Sequence, residues 1–287
     1  MNHLPGGNFS SWGWISTLPG NKRFGSHTDF SQHTTQSINE SMTNPLEEYL
    51  TQFVSERRLA LLDRVKTQRT RHLTVVLEDF YKPHNASACL RSCDCFGVQD
   101  AYIIESYSQF KMSENVAAGA GAWLTLHRYN GKTGDTSTCF QDLRERGYQL
   151  YAADPAPEAV QIEDLDISKP TAIILGSERR GISDYAREQA DGLVRIPMYG
   201  FTESFNVSVA CALTLSHLAS RLYRSNIPWE LSGEEQTLLW RVWLRQAIGY
   251  TWPMLEKEFF KRHPEFIAHQ PEWSGDQLKS LNKYYRR

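Results

Sequence analysis

The chain has 287 residues, 40% of them hydrophobic, and 31 Lys and Arg against 33 Asp and Glu give a formal net charge of −2. This length and balance are typical of a soluble protein of one or two domains that buries a full core. The longest apolar runs, at 73–77 and 171–175, are of strand length and too short to cross a membrane, and the first residues lack a secretion-signal pattern. We therefore expect a cytoplasmic protein that does not enter a membrane.

The cysteines indicate neither a disulfide framework nor a metal site. Their number is odd for a long, core-forming chain, and they are Cys89, Cys93, Cys95, Cys139 and Cys211. The first three have a C-x3-C-x-C spacing, which is not a standard zinc pattern and has no matching pair downstream. We expect no metal, and thiols that are buried like small apolar side chains.

Residues 1–43 are predicted to be a flexible N-terminal extension. They are rich in Ser, Thr, Gly, Asn and His and show no sustained hydrophobic period. Met42 stands directly before the end of this segment, so we treat it as a candidate alternative start. The intact mass of the natively expressed protein tests that hypothesis, and a full-length mass would reject it.

A basic N-terminal helix is predicted within 44–72. Asn44 suits a cap, Pro45 suits the first helical position and Glu47 sits where a capping box requires it, so one helix should run to about residue 68. The stretch from Glu56 to His72 carries six cations, which are Arg57, Arg58, Arg64, Lys66, Arg69 and Arg71. Such a run is either solvated surface or a binding site for a phosphate backbone.

Short apolar strands alternate with helical segments from 73 to 225. The predicted strands are 73–80, 101–105, 123–129, 149–153, 171–175 and 193–198, and the predicted helices are 86–95, 138–146, 183–189 and 204–224. This alternation favours an α/β domain with a mainly parallel sheet, where ligands bind at the carboxyl ends of strands. Helices predicted at 233–247 and 254–262 make 226–287 a C-terminal helical extension.

Three polar clusters each follow a predicted strand. They are HNASACLR at 84–91, LGSERRGIS at 175–183 and IPMYGFTESFNVSVACAL at 196–213. Ordinary structural roles are available, because Asn85 could cap a helix and Arg91 could pair with Asp94. The third cluster, however, offers more capping side chains than one helix needs, which indicates a ligand site at that helix start.

Two nucleotide-binding patterns are incomplete in this sequence. Ile182 stands where a P-loop requires its lysine, so the group that holds the outer phosphates is missing. Gly119 and Gly121 are not followed by the third glycine of a dinucleotide fingerprint. What remains at 175–183 is a glycine-bounded turn that carries an acidic residue.

Taken in order, the clusters resemble the three motifs of the SpoU branch of the SPOUT methyltransferases. These are RNA ribose 2'-O-methyltransferases that use S-adenosylmethionine. The matching patterns are N-x5-R, L-G-x-E-x-x-G and I-P-M-x-G-x-x-x-S-x-N-V-S-V-A, and the resemblance covers about residues 73–224. Within the branch, KPHNASACLRSCDCFGV and the helical additions at both ends are most similar to the TrmH group, which methylates a guanosine ribose in the tRNA D-loop.

The resemblance implies a fold and a donor site. The fold is a six-stranded parallel sheet whose C-terminal part is tied in a deep trefoil knot, a feature that no periodicity predicts. The knot loops bind the methyl donor, and the matching positions are Ala153, Leu175, Gly176, Ile196, Met198 and Phe205. Phe205 replaces a usual Leu and keeps that wall apolar.

The resemblance also assigns the polar positions. Arg91 matches the arginine at which the family's chemistry centres, and the other matching positions are Asn85, Glu178, Ser204, Asn206 and Ser208. A charged guanidinium has no lone pair, so we expect Arg91 to hold a substrate phosphate and stabilise the developing alkoxide. The implied assembly is a homodimer in which this arginine is partly supplied across the interface.

These patterns lead to one preferred function and two alternatives. The preferred function is S-adenosylmethionine-dependent 2'-O-methylation of a D-loop guanosine in tRNA, with the basic helix, the C-terminal helices and the Arg179–Arg180 pair contacting RNA. The first alternative keeps the chemistry but places it on ribosomal RNA or another tRNA position. The second is a non-catalytic RNA-binding protein on the same scaffold, against which the intact Arg91 and Asn206 argue.

Overall fold

The structure is a computed structural model that describes residues 44–111, 119–131 and 135–269. The predicted extension at 1–43, with Met42, lies outside the described residues, as does the predicted C-terminal extension from 270 onward. Among the helices that are described, none combines the length and apolar character needed to span a membrane.

A parallel sheet forms the centre of the protein. Its strands are β1 (Leu73–Glu78), β2 (Asp100–Glu105), β3 (Thr125–Asn130), β4 (Gln149–Ala153), β5 (Val160–Gln161), β6 (Thr171–Leu175) and β7 (Gly192–Arg195). They are hydrogen-bonded in the order β3-β2-β1-β6-β4-β7-β5, and every pairing is parallel. Every residue of the central strands β1 and β6 is buried, which explains their continuous apolar sequences.

The α/β fold with a parallel sheet is thereby confirmed, but the expected number of strands is wrong. The sheet has seven strands in the described residues, because the two-residue strand β5 pairs with β7 at one edge. Val160 and Gln161 are both exposed, so this strand carries no apolar alternation that the sequence could reveal.

Helices cover both faces of the sheet. Those within the methyltransferase-like region are α3 (Pro83–Cys95), α4 (Thr136–Glu145), α5 (Asp184–Gln189) and α6 (Val207–Leu222). Helices α3 and α6 pack in one core, where Cys89, Cys93 and Cys211 are fully buried. A hydrogen bond with Cys211, together with burial, raises the pKa of the Cys93 thiol well above its usual value. The opposite core contains Cys139 and Phe140 from α4.

The N-terminal segment is not the single helix that we expected. It forms α1 (Pro45–Thr51) and α2 (Glu56–Lys66), because Ser55 adopts an extended conformation and its hydroxyl caps α2 by accepting from the Arg58 N–H. Asn44 caps α1 as predicted. Glu47 forms no capping box, since its carboxylate is buried and paired with Arg241 at 2.6 Å.

The two ends of the described chain pack against each other. The C-terminal helices are α7 (Gly233–Ile248) and α8 (Trp252–Arg262). Leu46 and Leu50 of α1 share a buried cluster with Leu244 and Phe259 of these helices. A second cluster joins Leu62 of α2 to α7. Aromatic residues of the C-terminal segment therefore contribute to the clusters that hold α1 and α2, and they are Trp240, Trp243, Phe259, Phe260 and Phe266.

Candidate active site

The site lies at the carboxyl edge of the sheet, where chain segments that follow β1, β6 and β7 meet. Parallel pairing of β1 with β6 places Leu77 beside Leu175, so both strands end at the same level. Helix α3 begins five residues beyond β1, at Pro83, and the third polar cluster follows β7. The sheet order therefore brings the first cluster to the second and third clusters, which begin about 90 and 110 residues later in the sequence.

The turn after β6 presents Glu178 toward this edge. Ser177 and Gly181 close the turn by exchanging backbone hydrogen bonds of 3.0 and 2.9 Å. Gly176 has no room for a side chain, because a Cβ there would lie 2.0 Å from the carbonyl carbon of Gly181. A glycine at this position is thus required by close backbone approach rather than by an unusual φ angle.

Four of the predicted polar residues form one hydrogen-bonded chain. The Asn85 amide donates to Glu178 Oε1, and the Asn206 amide donates to Asn85 Oδ1 at 3.4 Å. Asn206 Oδ1 in turn accepts from the N–H and the hydroxyl of Ser208, at 2.9 and 2.7 Å. Side chains from the segments that follow β1, β6 and β7 are therefore connected directly.

Asn206 caps a helix and also contacts a residue of the first polar cluster. It is the N-cap of α6, and its side-chain nitrogen still reaches Asn85. Asn85, by contrast, does not cap α3: Lys82 occupies that position, and the Asn85 side chain is 4% exposed and turned toward Glu178. The capping explanation is therefore correct for Asn206 and wrong for Asn85.

A cavity of about 490 Å³ opens beside this chain. Its walls include all six positions that the resemblance assigned to the methyl donor, which are Ala153, Leu175, Gly176, Ile196, Met198 and Phe205. Glu178, Ser204 and Asn206 also line it, which places the predicted donor residues and part of the predicted catalytic set around one space. Val194, Val207 and Ala210 make much of the remaining wall apolar.

Two buried polar atoms at the cavity have no hydrogen-bond partner within the described residues. They are Glu178 Oε2 and Arg195 Nε, and both residues line the cavity. Buried polar groups in native proteins are almost always satisfied, so unpaired atoms here indicate a place for a polar ligand or water. Arg195 was not predicted, because within the strand-like run LVRIPM it has no special signal.

Lys82 and Asp154 also line the cavity and were not predicted. Asp154 forms an ion pair with Arg187, and its backbone N–H donates to Val194 O at 3.0 Å. Its position directly after the predicted strand 149–153 was the available signal, since ligands bind at that end of parallel strands. Lys82 stands two residues before His84, at the first position of the stretch KPHNASACLRSCDCFGV.

Arg91 lies apart from the other predicted catalytic residues. It is exposed and does not line the cavity, and no hydrogen bond or ion pair is formed by its side chain with any described residue. Arg91 follows Asn85 by six positions, or about 240° around a helix, so the two side chains leave α3 in different directions. The suggested pairing with Asp94 is wrong, because Asp94 pairs with Arg69.

The six basic residues proposed as an RNA contact have different environments. Arg57, Arg58 and Arg64 are exposed, whereas Lys66 is partly buried and pairs with Asp63. Arg69 is 2% exposed and is bonded to Asp94 and to the Val98 carbonyl. Arg71 is partly buried between Asp100 and Glu235. Two of the six residues, Arg69 and Arg71, thus have guanidinium groups that are bonded inside the fold.

Comparison with known proteins identifies the family. The model of the SpoU rRNA Methylase family matches residues 72–216, which is about half of the chain. The chain belongs to this family. The SpoU-family match begins at the residue before β1 and ends within α6, so it includes all three polar clusters and the cavity. The predicted SpoU membership is confirmed.

Two relatives and one solved structure agree with this assignment. A tRNA (guanosine(18)-2'-O)-methyltransferase of Borreliella burgdorferi is 33% identical over 199 residues, which cover 69% of this SpoU-family chain and 89% of the relative. The protein of the same name from Thermus thermophilus is 37% identical over 161 residues, or 56% and 81% of the two chains. The crystal structure of the A. aeolicus TrmH/SpoU tRNA modifying enzyme superposes with a TM-score of 0.59 at 30% identity, covering 66% of this chain and 95% of that one.

Proposed function

We propose that the protein transfers a methyl group from S-adenosylmethionine to the ribose 2'-hydroxyl of a guanosine in the tRNA D-loop. The observation that carries the proposal is the hydrogen-bonded chain of Glu178, Asn85 and Asn206 beside the largely apolar cavity. The two relatives named tRNA (guanosine(18)-2'-O)-methyltransferase support the choice of RNA and of nucleoside.

The cavity fits the methyl donor in size and in chemistry. Its volume of about 490 Å³ lies within the range of about 300–1,000 Å³ that is usual for small-molecule sites. Backbone and apolar groups at Leu175, Ile196 and Met198 suit an adenine ring, and the unpaired atoms of Glu178 and Arg195 suit its polar groups. When bound there, S-adenosylmethionine supplies an electrophilic methyl group on its sulfonium.

The hydrogen-bonded side chains beside the cavity orient the ribose. Glu178 fixes the Asn85 amide by accepting from its nitrogen, and Asn206 is fixed by Ser208 through its oxygen. Both amides are therefore held before substrate arrives, so no reorganisation is needed when the hydroxyl binds. Ser204 lines the same space and adds a hydroxyl that can donate or accept.

A second copy of the chain supplies Arg91. Within the described part of one chain this arginine lies away from the cavity and is unpaired. Helix α6 exposes Val209 and Leu213, four residues apart, and Phe205 precedes them. This apolar stripe suits a helix-to-helix contact in a homodimer. Arg91 then holds a substrate phosphate, which accepts the 2'-hydroxyl proton while the guanidinium stabilises the developing alkoxide.

The proposal also includes the trefoil knot and a cytoplasmic location. The knot follows from the resemblance, in which the loops after β6 and β7 form the donor site. In the cytoplasm the protein has access to unmodified tRNA.

Transfer of a labelled methyl group tests the catalytic function. Wild-type protein should label an unmodified tRNA transcript, and Arg91→Ala should reduce the rate about 100-fold or more because it removes charge stabilisation from the transition state. Arg224→Ala is a matched control, since Arg224 is also exposed and forms no ion pair within the described residues. If the wild type binds tRNA but labels neither tRNA nor ribosomal RNA, the protein is an RNA-binding scaffold.

Mixed subunits test whether Arg91 acts across an interface. Arg91→Ala and Asn206→Ala chains should each be almost inactive alone. Their random mixture should regain about a quarter of wild-type activity, because half of the dimers are mixed and each mixed dimer contains one intact site. No recovery from well-folded, exchanging chains would show that Arg91 and Asn206 must lie on the same chain.

A further inference from the structure

A group of paired tyrosines and arginines lies beside the site and has no role in the chemistry proposed for it. We call it the Tyr–Arg patch, and it consists of Tyr81, Tyr107, Arg179 and Arg180. The Arg179 guanidinium lies 4.8 Å from the Tyr81 ring centroid, and the Arg180 guanidinium lies 5.0 Å from that of Tyr107. Neither arginine forms an ion pair with any carboxylate in the described part of the chain.

The patch is open to solvent although it is largely aromatic. Tyr81 is 58% exposed and Tyr107 is 79% exposed, and both arginines are exposed. Isolated exposed aromatic residues need no explanation, but two rings that each carry an unneutralised cation form a surface of a specific chemistry. It offers planar groups on which a nucleobase can stack and charges that can hold a phosphate.

The position of the patch connects it to the proposed active site. Tyr81 and Tyr107 follow the neighbouring strands β1 and β2, while the arginines directly follow Glu178 in the turn after β6. Asp79 Oδ1 accepts from the backbone N–H groups of Tyr107 and Ser108, at 2.7 and 3.1 Å, and thereby holds the two tyrosine loops together. The patch therefore lies at the same carboxyl edge of the sheet as Asn85 and Glu178.

We propose that the Tyr–Arg patch binds unpaired nucleotides of the substrate RNA next to the nucleotide that is methylated. The tyrosine rings stack on bases that flank the target, and the arginines contact the intervening phosphates. This inference rests on the proposed function and extends it, because it assigns the substrate a local single-stranded form. A base pair buried in a duplex would not present its faces to these rings.

The test compares removal of the rings with removal of only their hydroxyl groups. We expect Tyr81→Ala/Tyr107→Ala to raise the Kd and the KM for an unmodified tRNA transcript by roughly 5- to 100-fold, the cost of losing about one stacked base. The kcat at saturating tRNA should change by less than about 3-fold, since the reacting groups are untouched. Tyr81→Phe/Tyr107→Phe should restore tRNA affinity to within about 3-fold of wild type, because stacking uses the ring.

A tyrosine outside the patch and two folding measurements serve as controls. Tyr185 of α5 is 42% exposed and belongs neither to the Tyr–Arg patch nor to the cavity lining, so Tyr185→Ala should leave the Kd for tRNA unchanged. Thermal unfolding and calorimetric binding of S-adenosylmethionine show whether each variant is folded with an intact donor site. An unchanged tRNA Kd in a folded alanine double variant would overturn the proposal, as would a fall in kcat with KM unchanged.

Substitution of the arginines separates phosphate binding from stacking. Arg179→Gln/Arg180→Gln should weaken tRNA binding and lower the slope of log K against log salt by about 0.7 for each phosphate that is no longer neutralised. An unchanged slope would remove the arginines from the proposal. The binding measurements remain informative if wild-type protein transfers no methyl group, so failure of the proposed function and failure of the stacking inference are distinguishable.

Discussion

The sequence predicted functional residues in both the cavity region and the early basic segment. In the structure, the residues of the cavity region lie together, whereas those of the basic segment have different environments. The six donor positions, identified by motif, line one cavity, and Asn85, Glu178 and Asn206 are hydrogen-bonded beside it. The six basic residues, identified by local charge, are divided between exposed or partly exposed positions on α2 and ion pairs inside the fold, which are formed by buried Arg69 and partly buried Arg71.

The difference comes from what each pattern encodes. A motif that follows a strand specifies residue type, spacing and the edge of the sheet at once, so its members converge when the strands pair. A run of charge specifies only composition. Arg69 lies beyond the end of α2, 5.1 Å from the Trp243 ring, and no feature of its immediate sequence separates it from exposed Arg64.

The largest effect should follow from changing Asn206. Asn206→Ala removes both the cap of α6 and the amide that reaches Asn85, and we expect kcat to fall by about 100- to 1,000-fold. Asn206→Ser is the matched control, since serine also caps helices well but has no amide nitrogen. Both variants should lose activity in the methyl-transfer assay, whereas only the alanine variant should lose about 1 kcal/mol of stability. Activity retained by the serine variant would limit Asn206 to capping.

The next largest effect tests whether the buried and the exposed arginines of the basic segment contribute differently to stability. Arg69→Ala should lower the free energy of unfolding by about 3 kcal/mol, because it leaves Asp94 and the Val98 carbonyl without their buried partner. Arg57→Ala, at an exposed position without an ion pair among the described residues, should change it by no more than about 0.5 kcal/mol. Denaturant unfolding measures both, and equal effects would contradict the distinction between the two arginines.

The smallest effect concerns Asp100 and its dependence on pH. Burial raises the pKa of this carboxyl, but the neighbouring His127 and Arg71 lower it more, so the pKa lies below its usual 3.8. The folded state therefore binds this proton less tightly than the unfolded state, and the resulting stability is present above about pH 4 and declines below it. Asp100→Asn should cost about 1–3 kcal/mol at pH 7.

The same variant has a specific signature in acid. The difference in unfolding free energy between wild type and Asp100→Asn should shrink as the pH falls from about 4 to 2, because the wild-type carboxyl becomes protonated. A difference that stays constant over that interval would show that the carboxylate charge does not contribute.

Much of the fold was predictable because its signals are local. The buried strands β1 and β6 are continuous apolar runs, and α6 has a clear apolar period ending near Arg224. The break between α1 and α2 depends on a single serine cap, and β5 has only two exposed residues. Neither produces a hydrophobic period over the length needed to recognise a helix or a strand.

The composition of the candidate site was predictable from its motifs, but its geometry was not. Family positions named six residues that line the cavity, whereas the direction of Arg91 depends on how α3 is rotated against the sheet. Arg195 and Lys82 enter the cavity only because of how their segments lie around it. The patch at Tyr81 and Tyr107 required the pairing of β1 with β2, which joins loops that are 26 residues apart.

The most direct measurement of the central claim is the identity and position of the methylated nucleoside. An unmodified tRNA transcript is incubated with the protein and S-adenosylmethionine, digested, and mapped by mass spectrometry. We predict one 2'-O-methylguanosine in the D-loop, which also makes the adjoining phosphodiester resistant to alkali because the 2'-hydroxyl is blocked. A methyl group on a base, or on a ribose only outside the D-loop, would contradict the proposed function.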